Sequence, residues 1–270
     1  HDHSENLKID LIEEEDKAIL TFKWPEDVAA TSFVRDKRLW VIFDKGSKLD
    51  SSNFKSKWFV DTKKESSEPE VFIYSILLNE IDGKLPSAIM YRTGYEWNVE
   101  ISNKTIKAKD IRVVSRPLAA PHPRVDIELD EDARTPIRFV DRYIGDELIA
   151  LPMVDGAVAI NEKFTFIDFR ILKSLQGGVV KPISDLVKVK ASSKNYQIVG
   201  AAGLNIAPRV YKKHESRFED PKYGFKMDDF VEDFQSILSL KSYKVEDGQL
   251  MIKVKMLRQT AMSAKSPAQK

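Results

Sequence analysis

FTFIDFRILKSLQGGVVKPISDLVKV, running from Phe164 to Val189, decides the fold class of this chain. Short apolar runs alternate with turn residues about every ten positions, a spacing too tight for helices and suited to successive strands. The wider stretch Pro136–Ala207 holds Gly145, Gly156, Gly177, Gly178, Gly200 and Gly203, six of the eleven glycines in the chain, so turn capacity is concentrated here. Gln176-Gly177-Gly178 predicts punctuation between two strands, with glycine supplying positive φ in a tight turn.

Upstream the same rhythm recurs less regularly. Between Asn6 and Lys45, LKIDLIEEE, KAILTFKW, ATSFVRD and RLWVIFD place β-branched or aromatic residues at alternate positions, with charged or proline-containing breaks between them. VFIYSILL, Val71–Leu78, predicts a buried strand. Ala88–Arg92 and Glu96–Ile101 predict a hairpin closed at Thr93-Gly94, and Ile111–Ser115 a further strand. Gly46–Pro69 reads as a polar surface excursion carrying one short strand around Trp58-Phe59-Val60.

Pro117–Pro123, PLAAPHP, holds three of the twelve prolines and is the expected boundary or crossover. Beyond it, VDIELDEDARTPIRFVDRYIGDELIALPM repeats the order of ILTFKWPEDVAATSFVRDKRLWVIFD. Each has a strand, an acidic turn, a Phe-Val strand, a charged turn and a Leu-led strand, the trace an internal duplication would leave. The expected fold is therefore an all-β antiparallel body, propeller-like or two stacked sandwiches. Its first unit would span 6–116 and its second 124–207, packed together. A helical segment is expected over 225–260, where Met227, Phe230, Val231, Phe234, Ile237 and Leu238 fall at helical spacing behind Asp228 and Asp229.

Composition narrows the function classes. With 43 basic and 42 acidic side chains the net charge is +1, which argues against a general polyanion binder, so nucleic acid is not an expected partner. Arg209–Lys226 is basic and aromatic, but its acids interrupt it. No run of 18 apolar residues occurs, so no transmembrane segment is expected. The absence of cysteine removes disulfides, thiolate metal sites and a cysteine nucleophile, and suits an oxidising compartment. A chain opening at His1 instead of Met reads as a processed or trimmed form.

Few residues offer chemistry. His1-Asp2-His3 could bind copper or nickel only at a free terminus, and Ser52-x-x-Lys55 lacks the companion motifs of an acyl enzyme. Asp126, Glu128 and Asp130 share one strand face beside Glu131 and Asp132. Without a glycine-containing calcium loop, this is expected to be a solvated acidic face. Neither a phosphate-cradling nor a dinucleotide-binding glycine motif is present, so no cofactor, no metal and no catalytic residue is expected. Trp40 and Trp97 sit in alternating strands and should be core. Trp58, with Phe59, Lys55 and Lys57, is the best candidate for an exposed contact with a ligand or partner.

Phe169–Pro182, FRILKSLQGGVVKP, followed by the strand Asp185–Val189, resembles a pattern found in large exported alphaproteobacterial proteins with tetratricopeptide repeats. Leu20–Asp44 is similar to the start of that family and Gly145–Pro152 to one of its strands. RLWVIFD is also similar to the AMIN-type β-modules that localise cell-wall amidases. The resemblance implies a periplasmic or envelope-associated β-domain, leading into helical repeats and carrying no catalytic residues. The leading expectation is thus a non-enzymatic interaction module whose partner is a protein or peptidoglycan. A glycan- or peptide-acting hydrolase using paired carboxylates, and a scaffold presenting downstream repeats, are the alternatives.

Overall fold

The computed structural model describes residues 6–49, 54–66, 69–119 and 122–200, and among these the protein is all β. The helical segment expected over 225–260, together with His1, His3 and Ser52, lies outside the described residues.

The first eight strands are β1 (Lys8–Glu13), β2 (Lys17–Lys23), β3 (Ala30–Arg35), β4 (Arg38–Phe43), β5 (Phe59–Lys64), β6 (Phe72–Leu78), β7 (Ser87–Thr93) and β8 (Glu96–Ser102). They form two antiparallel sheets, A in the order β1-β2-β8-β7 and B in the order β3-β4-β6-β5. After the short strand β9 (Lys109–Asp110) come β10 (Val113–Arg116), β11 (Arg124–Glu128), β12 (Ile137–Asp141) and β13 (Asp146–Leu151). Then follow β14 (Val158–Ala159), β15 (Phe164–Thr165), β16 (Phe169–Leu172), β17 (Gly178–Pro182), β18 (Val187–Ser192) and β19 (Asn195–Gly200). These build sheet C, β12-β13-β17-β16-β15, and sheet D, β10-β11-β19-β18, while β9 and β14 make a two-residue parallel pair.

The two halves share one topology. Replacing β1–β8 by β10–β13 and β16–β19 in order converts sheets A and B into D and C, with β15 as an addition. Register agrees as well. Phe33 faces Trp40 across the β3–β4 hairpin and Phe139 faces Leu148 across β12–β13, so the Phe-Val strands read in the sequence are equivalent positions.

Three cores hold four layers. Leu20, Phe22, Phe43, Tyr74, Trp97 and Val99 pack between A and B; Val125, Ile127, Leu151, Ile171, Tyr196 and Ile198 pack between C and D. Between B and C, Phe33, Trp40, Ile42 and Ile73 meet Ile137, Phe139, Leu148, Ala150 and Val179. Sheet B is therefore buried on both faces, which is why RLWVIF reads as a continuous apolar run instead of alternating. Each large side chain buried here contributes about 1.5–3 kcal/mol of transfer free energy.

The Gln176-Gly177-Gly178 stretch turns out to be a seam. Ser32 and Gln176 exchange both backbone hydrogen bonds (2.9 and 3.1 Å), as do Ala30 and Met153 (both 3.0 Å), stitching β3 onto the second half. Gly177 has φ +64°, and a Cβ there would stand 2.6 Å from the Leu151 carbonyl oxygen and 2.9 Å from that of Ala30. Buried Gln176 donates from Nε2 to the Asp155 carbonyl (2.6 Å) and accepts from Val158 N (3.3 Å). The motif does supply positive φ, but between β16 and β17 it reaches across to the other half instead of closing a tight hairpin.

The expected boundary also moves. β10 pairs with β11 in sheet D, Arg116 facing Arg124, so Pro117–Pro123 connects neighbouring strands of one sheet. The change of module falls upstream, after Ser102. A proline-rich loop suits a wide strand connection as well as a boundary, and the sequence signal is the same.

Candidate interaction surfaces

Trp58 and Phe59 are core residues, 1% and 3% exposed, so the expectation of a solvent-facing indole does not hold. The polar excursion has to close against the body somewhere, and its one large apolar pair is where it does so. Lys55 and Lys57 remain exposed.

Trp58 nevertheless floors a groove of about 520 Å³ walled by Glu15, Asp16, Lys57, Ile81, Asn103 and Lys104. Four segments meet there: the β1–β2 turn, the start of β5, the β6–β7 connection and the end of β8. The chain is fixed by Asn79 N donating to the Trp58 carbonyl and Asn79 Nδ2 to that of Lys57, both 2.9 Å. Lys57 Nζ donates to the Glu15 carbonyl and lies 5.2 Å from the Trp58 ring centre. Lys104 pairs with Asp16 at 3.0 Å and holds that carboxyl below its usual range. The indole Nε1–H of Trp58 is buried and has no hydrogen-bond partner among the described residues, as is also true of Trp24 and Trp40.

The acidic strand face is solvated only in part, with Asp130 and Asp132 exposed. Asp126 is buried and accepts from Arg124 Nε (2.9 Å) and Arg116 Nε (3.4 Å); Glu128 pairs with Arg112 and Arg116, and Asp130 with Lys109. Among the described residues no group of three or more histidines or acids could hold a metal ion.

Two polar networks join the halves, and neither was visible as a motif. Arg35, at the end of β3, donates to both carboxylate oxygens of Asp146 (2.5 Å each) and to Asp141 (3.2 Å), with Lys181 Nζ 2.8 Å from Asp146. Asp146 is held far below the ordinary carboxylate range, first by Arg35 and then by Lys181. Glu65, from the polar excursion, accepts from Ser75 Oγ (2.8 Å) and Tyr143 Oη (2.6 Å), while Arg142 Nε lies 3.4 Å away. Arg38 stacks 3.8 Å from the Tyr143 ring centre. Burial and the adjacent Glu65 raise the Tyr143 phenol. Glu65 sits in a Ser/Lys-rich stretch that gives no sequence signal of burial. Two other carboxyls, Asp44 and Glu131, are pushed up by burial; each accepts from backbone amides, Ala29 N (2.8 Å) and Val154 N (2.6 Å) respectively.

The outer faces of A and D differ. Across sheet A, Ile12, Ile19, Glu100 and Ile89 stand in one cross-strand row, with Asp10, Thr21, Asn98 and Tyr91 in the next. Across sheet D, Val114, Asp126, Gln197 and Lys190 form a row, flanked by exposed Lys188.

Comparison with protein-family models, curated proteins and solved structures finds no match to this chain.

Proposed function

We propose that this chain is a non-enzymatic interaction module of a bacterial envelope protein, binding a partner protein or the cell wall through the groove over Trp58. We read the body as two stacked sandwiches, on the strength of three separate cores between four sheets. The observation that carries the functional reading is the groove itself, where four segments meet over Trp58 between the exposed Lys57 and Lys104. The reading also draws support from cysteine-free composition, which suits an exported protein. The networks at Asp146 and Glu65 draw their charged groups into ion pairs that join the halves.

The test is co-sedimentation with purified peptidoglycan, intact or enzymatically digested, alongside pull-down from envelope extract. The reading expects capture in one arm, weakened roughly tenfold by Lys57→Glu with Lys104→Glu and leaving the melting temperature unchanged. Capture in neither arm, or capture indifferent to both substitutions, would contradict it.

A further inference from the structure

The equivalent edge strands of the two modules, β7 and β18, are finished differently. Each closes on its partner through a two-residue turn, with Thr93 facing Glu96 and Ser192 facing Asn195. In such a hairpin the turn-closing pair is hydrogen-bonded, so the backbone groups of every second residue point outward. On β7 these belong to Ala88, Met90 and Arg92; on β18, to Val187, Val189 and Ala191. The direction is corroborated on the far side of β19, where the Lys194 carbonyl accepts from Leu129 N of the neighbouring strand (2.8 Å).

The outward edge of β7 is covered by the chain itself around Met90 and Arg92. Ala157 N donates to the Met90 carbonyl (3.1 Å), Arg92 Nη1 donates to the Val154 carbonyl (3.1 Å), and Gly156 packs so closely that a Cβ there would meet Arg92 N at 2.6 Å. On β18 only Val187 is engaged, its N–H by the Ser184 carbonyl (3.1 Å) and its C=O by Arg138 Nη2 (3.0 Å). Val189 and Ala191 leave four backbone groups with no partner among the described residues, on an exposed strand. Counting back from the turn, Ile89 and Tyr91 of β7 correspond to Lys188 and Lys190 of β18. Neither lysine makes an ion pair among the described residues, whereas Asp126, across the same row from Lys190, is occupied by two arginines.

We propose that the outer edge of β18 takes an extended acidic segment of a partner protein as a fifth strand of sheet D. Backbone groups of Val189 and Ala191 supply the ladder, while Lys188 and Lys190 select carboxylates at alternate positions on the outer face. Lysine on an open edge also repels basic or indiscriminate strands, and that guarding role is the one-sided version of the same selectivity. The inference rests on reading the chain as an interaction module but uses a different surface from the Trp58 groove.

The probe is a blocked, fluorescent peptide of about eight residues alternating glutamate with valine, with a lysine–valine counterpart and two alternately N-methylated forms that block opposite edges. Measured by anisotropy on the whole chain, the acidic peptide should bind and the lysine peptide should not. One N-methylated form should lose binding while the other keeps it, because only one edge of the added strand faces β18. Lys188→Glu with Lys190→Glu should weaken acidic-peptide binding roughly tenfold or more and transfer preference to the lysine peptide, with an unchanged circular dichroism spectrum. Equal binding of both N-methylated forms would reduce the site to a charged surface and overturn the proposal; so would no binding of the acidic peptide. If the peptides fail while peptidoglycan or envelope capture still depends on Lys57 and Lys104, this inference alone falls. If the peptides bind as expected and that capture fails, the Trp58 reading falls instead.

Discussion

Sheets A and D hold the same place in their modules and present different surfaces. Both are four-stranded, both put a two-residue hairpin at one edge, and both send alternate residues into a core of their own. The inner sheets B and C, by contrast, are tied to each other by a third core and by the Arg35–Asp146 pair. The shared topology thus has two inner sheets constrained by mutual packing and two outer ones without that constraint. The hairpin ends differ in charge. Arg35 and Arg38 close the β3–β4 hairpin where Asp141 and Asp146 close β12–β13, so equivalent positions carry complementary charge and Arg35 bridges the modules.

The largest effects should come from the shared core. Phe33→Ala and Phe139→Ala should each cost about 3–5 kcal/mol in urea unfolding, with a single transition retained. Their rings lie 6.2 Å apart, so the double variant should cost less than the sum. Two separated transitions would mean that the modules fold independently, and would break the claim of one body.

The seam gives a sharper contrast between glycines. Gly177→Ala combines positive φ with a Cβ in contact with two carbonyl oxygens and should cost about 2–4 kcal/mol. Gly145→Ala, at φ +88° with open space around it, should cost only about 1 kcal/mol. Equal costs would show that the seam is not tightly closed.

Asp146→Asn should cost about 1–3 kcal/mol at neutral pH, discounted from a fully buried pair because Arg35 and Asp146 keep some solvent contact. The folded carboxyl titrates below its unfolded value, so the stability it contributes is present above about pH 4. That contribution is lost as pH falls through the folded value. Wild-type and variant curves should therefore converge in acid, and parallel curves would place the charge pair outside the stabilising set. Smallest of all, Lys188→Ile with Lys190→Tyr, which copies Ile89 and Tyr91 onto sheet D, should change stability by no more than about 0.5 kcal/mol. Any loss of solubility would mark the lysines as guards of that edge.

Alternation and turn residues made most strands readable, from LKIDLIEEE to the Thr93-Gly94 hairpin, because one face of each outer sheet is solvated. The repeated order of elements is legible for the same reason: the two halves share a hydrophobic period where they share few residues. What stayed hidden depended on partners distant in sequence. Trp58 looked exposed because its neighbours are charged, and nothing local reveals the core it enters. Asp126 looked solvated because Arg116 reaches it only across the β10–β11 pairing, joining Arg124 from its own strand. Pro117–Pro123 looked like a boundary because loop composition does not record which strands a loop joins. That the Trp58 N–H and the edge of β18 lack partners among the described residues is a property of surroundings, and a single sequence does not carry it.

Native-state hydrogen exchange along β18 and at Ala157 tests the contrast between the modules most directly. The amides of Lys188, Lys190 and Ser192 should be protected by β19, those of Val189 and Ala191 should exchange rapidly, and Ala157, held by Met90 on β7, should be slow. Protection of Val189 and Ala191 equal to that of their neighbours would mean that the β18 edge is already covered, contradicting the account of a β7 edge met by Gly156 and Ala157 and a β18 edge open, among the described residues, at Val189 and Ala191.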